Sequence, residues 1–118
     1  MCTGAKALGI ANQSIILDSQ MTSSSQLTAA TQASYGRLNG KRGNGWCAKT
    51  ANNSHDWLQV DLGKMVHICS LFVQGEVSGS RWVTSFQLRY STDGNTWKPY
   101  MDTNGAQVVR DNLHCQNE

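Results

Sequence analysis

The sequence predicts an all-β fold, an antiparallel sandwich or barrel of short strands. Three observations carry this. Apolar and polar residues alternate in Trp57–Gly63 and again in Ser85–Tyr90, the period-2 pattern of strands with one buried face. Ser91-Thr92-Asp93-Gly94-Asn95 is a tight-turn signal, because Asp-Gly supplies the positive φ that hairpins need. No convincing helical period lies between these strands, and short strands separated by turns mean a sandwich or barrel.

Taken in order, Gln20 to Ser34 is rich in Ser, Thr, Ala and Gln and lacks a clear period. It reads mostly as loop, with a short helical turn over Ala29 to Ala33. In the next segment Leu58, Val60 and Leu62 face inward, Gln59 and Asp61 face outward, and Gly63 stops the strand. Asp61 either pairs with a cation or is solvated. Val66 to Val73 is nearly all apolar and is expected as a strand covered on both faces, with His67 a structural histidine inside it. Phe86, Leu88 and Tyr90 then point inward, Gln87 and Arg89 outward, and Thr96 to Tyr100 returns after the turn. Trp57 and Trp97 are large apolar side chains on strands, so core packing is their default role.

The 118 residues suit one domain. Charged residues are 15% and hydrophobic ones 39%, a balance of folded rather than disordered chains. A formal charge of +2 makes no case for nucleic acid, and no apolar run is long enough to span a bilayer. No apolar leader core follows Met1, so a leader was removed or the chain is a piece of a longer one. Cysteines stand at 2, 47, 69 and 115. They lack the close pairs of a zinc site, so two disulfides in an oxidising compartment are expected; four buried thiols in a cytosolic protein are the alternative. The sequons Asn12-Gln13-Ser14 and Asn52-Asn53-Ser54 are compatible with secretion.

Motifs for chemistry are absent. Ser54-His55-Asp56 holds triad residue types, but consecutive residues cannot face one another as a triad must. Gly40-Lys41 is followed by Arg42 rather than Ser or Thr, so there is no phosphate loop. Asp93-Gly94-Asn95 and Asp102-Thr103-Asn104-Gly105 lack full calcium-loop spacing and read as turns. No enzyme activity, no metal and no cofactor are expected.

A set of motifs in order then points to a family. These are Cys2 with Leu8-Gly9-Ile10, Arg37-Leu38-Asn39, Gly45-Trp46-Cys47-Ala48, Trp57 to Gly63, Val73-Gln74-Gly75, Trp82 to Phe86, and Tyr90 to Tyr100. Over residues 2–100 the chain resembles the discoidin family, which includes the C-type domains of coagulation factors V and VIII. The resemblance implies a discoidin-type antiparallel β-sandwich, a jelly roll of the galactose-binding-like kind, as a single domain over 2–118. It implies a framework role for Arg37. The pattern fails after Tyr100, so the usual C-terminal strands are expected to be missing, by truncation, an alternative ending or fragmentation. It also suggests that Cys2 and Cys115 form a terminal clasp and that Cys47 staples to Cys69. In some relatives the cysteine matching Cys47 pairs within the missing region, which leaves Cys47 free.

Function in such a module sits on loops at one end. The resemblance points to Thr22 to Gly36, Gly40 to Cys47 and Gly75 to Trp82. Their candidate ligand residues are Lys41, Arg42, Asn44, Trp46, Glu76, Val77, Ser78, Arg81 and Trp82. They offer cations, amides and aromatic faces, although Trp46 and Trp82 also suit a scaffold. The expected partner is a cell-surface glycan or glycoprotein, bound by an extracellular adhesion module, secreted or part of a larger multidomain surface protein. Anionic phospholipid, phosphatidylserine in particular, is the alternative. That mode inserts apolar loop tips, yet Thr28 to Ala33 holds no large apolar residue and the third loop offers mainly Val77. A structural matrix or protein-interaction module is the third reading. Calcium serves lectins of the family, but no carboxylate cluster here compels it.

Overall fold

In the computed structural model, Met21 anchors the first strand pair. The structure describes residues 3–50, 53, 55–76, 81–83, 86–101, 109–110 and 115–117, with backbone alone for 81, 109–110 and 115–117. Strand β1 (Met21–Ser23) runs antiparallel to β2 (Leu58–Val60), with Met21 opposite Val60 and Ser23 opposite Leu58. Backbone bonds extend the ladder at both ends, from Ser24 N to Trp57 O at 3.0 Å and from Asp61 N to Gln20 O at 2.8 Å.

The expected loop over Gln20 to Ser34 thus contains a strand. Three residues are too few to show a period, and the partner lies far along the chain. The rest of that segment holds 3-10 turns at Ala29–Thr31 and Ala33–Gly36, and another turn, Asp18–Gln20, precedes β1. Thr28 and Thr31 tie the middle turn together. Thr28 N donates to Thr31 Oγ1 at 2.9 Å, and Thr31 Oγ1 donates to the Thr28 carbonyl at 3.1 Å. These bonds satisfy polar groups that burial would otherwise leave unpaired.

The core gathers where these pieces meet. Ile16, Met21 and Ala33 are buried together, and Ile10, Trp46, Val60 and Leu62 pack against them. The expected alternation in β2 therefore holds at Val60 and Leu62, but Leu58 and Trp57 are exposed. Asp61 resolves as a turn residue. Its Oδ1 accepts from Gly63 N at 2.8 Å, and Gly63 takes φ +73° to end the strand.

Three further antiparallel pairs form beyond residue 80. Strand β3 (Arg81–Val83) pairs with β8 (Cys115–Asn117), β4 (Phe86–Gln87) with β7 (Val109–Arg110), and β5 (Arg89–Tyr90) with β6 (Lys98–Pro99). The expected hairpin is present, and Tyr100 N extends it to the Leu88 carbonyl at 2.9 Å. Pro99, opposite Arg89, suits a two-stranded ladder that needs no second donor row. Strands β7 and β8 lie in the stretch where no strand was expected; two and three residues long, they leave little pattern to read.

Two expectations fail here. Residues 64–76 form no strand, and Met65, Ile68, Leu71, Phe72 and Val73 are exposed, as is His67. A continuous apolar run needs a partner on each face, and no described strand pairs with it. Trp97 is 38% exposed, and Tyr90, expected inward, is 48% exposed, because a two-stranded ladder has no opposing sheet to cover its side chains. Among the described residues there is no α-helix, and the ladders are separate pairs rather than two broad facing sheets.

Candidate functional site

The first two candidate loops interlock. Asn44 N donates to the Ala30 carbonyl at 2.8 Å, Cys47 N to Thr31 O at 3.3 Å, and Leu27 N to Cys47 O at 2.8 Å. Gly43 makes this close approach feasible. It takes φ +62°, and a Cβ there would run into the Tyr35 ring and come within 2.6 Å of the Ala30 carbonyl.

Arg37 fixes the base of the arrangement and is 7% exposed. Its Nη1 donates to Ile10 O at 2.8 Å and its Nη2 to Asp18 Oδ1 at 2.8 Å. The framework role implied by the resemblance fits this geometry. Arg42 reaches the same carboxylate from the second loop, with Nη2 2.9 Å from Oδ1 and 2.8 Å from Oδ2 of Asp18. Its guanidinium also lies 5.5 Å from the Tyr35 ring centroid, a cation–π distance. Hydrogen bonds from Arg37 and then Arg42 hold the Asp18 carboxyl below its usual range.

A cleft of about 210 Å³ opens beside this clamp, lined among others by Gln13, Tyr35, Arg37, Asn39, Lys41 and Arg42. Lys41 and Asn44 are exposed. Trp46 is half-buried against the core, and its Nε1 donates to the Ser25 carbonyl at 2.9 Å, so it braces the loop from beneath. The third loop joins at its root. Asn39 N donates to Gln74 Oε1 at 2.6 Å, and Gln74 Nε2 donates to Asn39 Oδ1 at 3.2 Å. Of its candidates, Glu76 is half-buried, Trp82 is 37% exposed, and Arg81 is placed by backbone opposite Asn117. Val77 and Ser78 lie outside the described residues.

Asp56 escaped notice except within Ser54-His55-Asp56. It is buried, and its Oδ1 accepts from Ser24 Oγ at 2.7 Å and Ser25 Oγ at 2.8 Å. Ser25 Oγ in turn accepts from Lys49 N at 3.0 Å, so this carboxylate moors the exit of the second loop. Asp18 and Gln13 were also missed as site residues, and Tyr35 and Asn39 entered only as members of the first candidate loop and of Arg37-Leu38-Asn39. One signal was available, since Asp18 is the sole acidic residue among residues 1–55.

The Asp93 turn uses its carboxylate internally. Oδ1 accepts from Asn95 N and Thr96 N, each at 2.8 Å, and from Ser91 Oγ at 2.9 Å. The Thr96 and Asn95 amides and then the Ser91 hydroxyl lower its pKa to about 2. Among the described residues no group of His, Cys, Asp or Glu is placed to hold a metal ion. Cys47 and Cys69 are both disulfide-bonded; Cys2 and the Cys115 side chain lie outside the described residues, so their pairing stays a proposal. No helix among the described residues is long and apolar enough to cross a membrane.

The family model of the F5/8 type C domain matches residues 20–117. Such domains are non-catalytic binding modules, typically extracellular, that bind glycans or phospholipids. The interlocked loops, the clamped cations and the antiparallel strand pairs are parts of one such module: the chain belongs to the F5/8 type C, or discoidin, domain family.

Proposed function

We propose that this chain is an extracellular adhesion module that recognises cell-surface glycans or glycoproteins through the interlocked loops. Its strands then complete the family's jelly-roll sandwich, within a larger surface or secreted protein. The observation that carries the reading is the cleft beside Arg42, which brings the Tyr35 ring together with the polar and cationic side chains of Gln13, Asn39, Arg37, Lys41 and Arg42. Sugars need convergent hydrogen-bonding groups on a rigid support, and loops braced on a core provide that.

One observation favours the phospholipid reading as second. Leu27, in the first candidate loop directly before Thr28, is 42% exposed, and membrane insertion uses such side chains. An array of glycans and glycoproteins run beside phosphatidylserine vesicles decides between them. The expected result is binding to glycans or glycoproteins, lost on deglycosylation, with no preference for phosphatidylserine over phosphatidylcholine vesicles. Vesicle binding that persists at high salt and disappears with Leu27→Ser overturns it. Binding to neither favours a structural matrix role.

A further inference from the structure

We infer that the cleft beside Tyr35, Arg37, Lys41 and Arg42 binds the acidic group, carboxylate or sulfate, of a charged sugar. The inference rests on the glycan-binding reading and narrows it to anionic glycans.

Charge distribution is the first support. Residues 1–55 carry five Lys and Arg against Asp18 alone, whereas residues 56–118 carry five against seven acids. The small net charge therefore conceals a basic half, and three of its cations line one cleft whose lining includes no carboxylate. Asp18 ties to Arg37 and Arg42, but among the described residues Lys41 has no ion pair. A concave site lined by one sign of charge concentrates the opposite sign.

Unused donors are the second support. Arg37 spends its Nη1 and Nη2 on the Ile10 carbonyl and Asp18, so the donors open to a ligand are those of its neighbours. Arg42 donates to Asp18 through Nη2 alone, which leaves Nε and Nη1 for a ligand. The Asp18 clamp and the Tyr35 ring already order its guanidinium, so less freedom is lost when an anion binds. A planar guanidinium suits the paired oxygens of a carboxylate or sulfate.

Shape selects a sugar over a bilayer. At about 210 Å³, the cleft is smaller than the roughly 300 Å³ at which drug-sized sites begin. That leaves room for about one sugar ring. The lining holds no large aliphatic side chain that could enter an acyl layer.

The test is titration calorimetry of the chain with a heparin oligosaccharide, a hyaluronan oligosaccharide, neutral maltotetraose and phosphatidylserine vesicles. The two acidic sugars should bind in preference to maltotetraose. Lys41→Gln and Arg42→Gln should each weaken them about tenfold, with a shallower salt dependence. Gln13→Glu puts a carboxylate into the lining without touching Asp18 and should weaken binding as well. This keeps the test decisive should Arg42→Gln loosen the clamp. Acidic-sugar binding unchanged in all three variants overturns the site. Binding of the neutral sugar alone overturns the inference and leaves the glycan reading standing, whereas binding of no sugar overturns both. Vesicle binding that falls in these variants, with no sugar bound, assigns the cleft to a lipid phosphate and overturns it too.

Discussion

Residues 3–63 and residues 64–117 hold their shape by different means. Every buried residue described, from Ile16 to Asp56, lies in the first region. There, 3-10 turns, one strand pair and side-chain bonds to backbone close around a small core. The second region has three ladders of two or three residues each, and its described side chains are half-buried or exposed. Strand pairing satisfies backbone groups but buries apolar surface only when another layer lies across the face. The candidate site is built on the region that has a core, as a preorganised site requires.

The comparison predicts where substitutions matter. Ile16 is 3% exposed at the centre of the cluster, so Ile16→Ala should lower stability by about 2–4 kcal/mol in urea denaturation. A value near zero would mean that the first region is not the stability core. Asp56→Ala should come next, at about 2 kcal/mol, because Ser24 and Ser25 lose the acceptor that the buried Asp56 carboxylate supplies. Amide exchange should then accelerate around Lys49. Gly43→Ala should cost about 1–3 kcal/mol from its left-handed backbone and its crowding against Tyr35. Acidic-sugar binding, on the reading proposed above, should fall with it.

Acid should act on both regions through exposed carboxylates. The pKa of Asp93 is depressed to about 2, and that of Asp18 is also lowered. A depressed folded-state pKa contributes stability that is full above the unfolded value, about 3.8 for each. That contribution fades as pH falls through the folded value. The window for Asp93 is therefore pH 3.8 down to about 2. Asp93→Asn should flatten the hairpin's pH response in that window, read from the chemical shifts of Asn95 and Thr96. An unchanged titration would show that the carboxylate does not hold the turn.

The hairpin was legible because its information is local. Asp93-Gly94, with Gly94 at φ +75°, and alternating flanks specify pairing over a few residues. Strand β1 was illegible because Met21 pairs with Val60, and nothing near Met21 announces that partner. Lys41, Arg42 and Asn44 were legible as loop candidates, but the cleft that Lys41 and Arg42 line was not. It depends on Asp18, Tyr35 and Gln13, whose types carry no motif and which folding alone brings together. The covered strand over Val66 to Val73 failed for the converse reason. Composition states how apolar a segment is, not whether anything lies beside it.

Phe72 is the sharpest remaining probe of that segment, and it should show the smallest effect. It is 75% exposed, so it has little burial to lose, and Phe72→Ser should change stability by less than about 0.5 kcal/mol. Beside Ile16→Ala, it measures the contrast between the two regions on one scale. A loss comparable to that of Ile16→Ala would mean that residues 64–76 are covered in solution. Repeating the denaturation over a range of protein concentrations then identifies the cover: stability that rises with concentration points to a second copy of the chain, and stability independent of concentration points to packing within it.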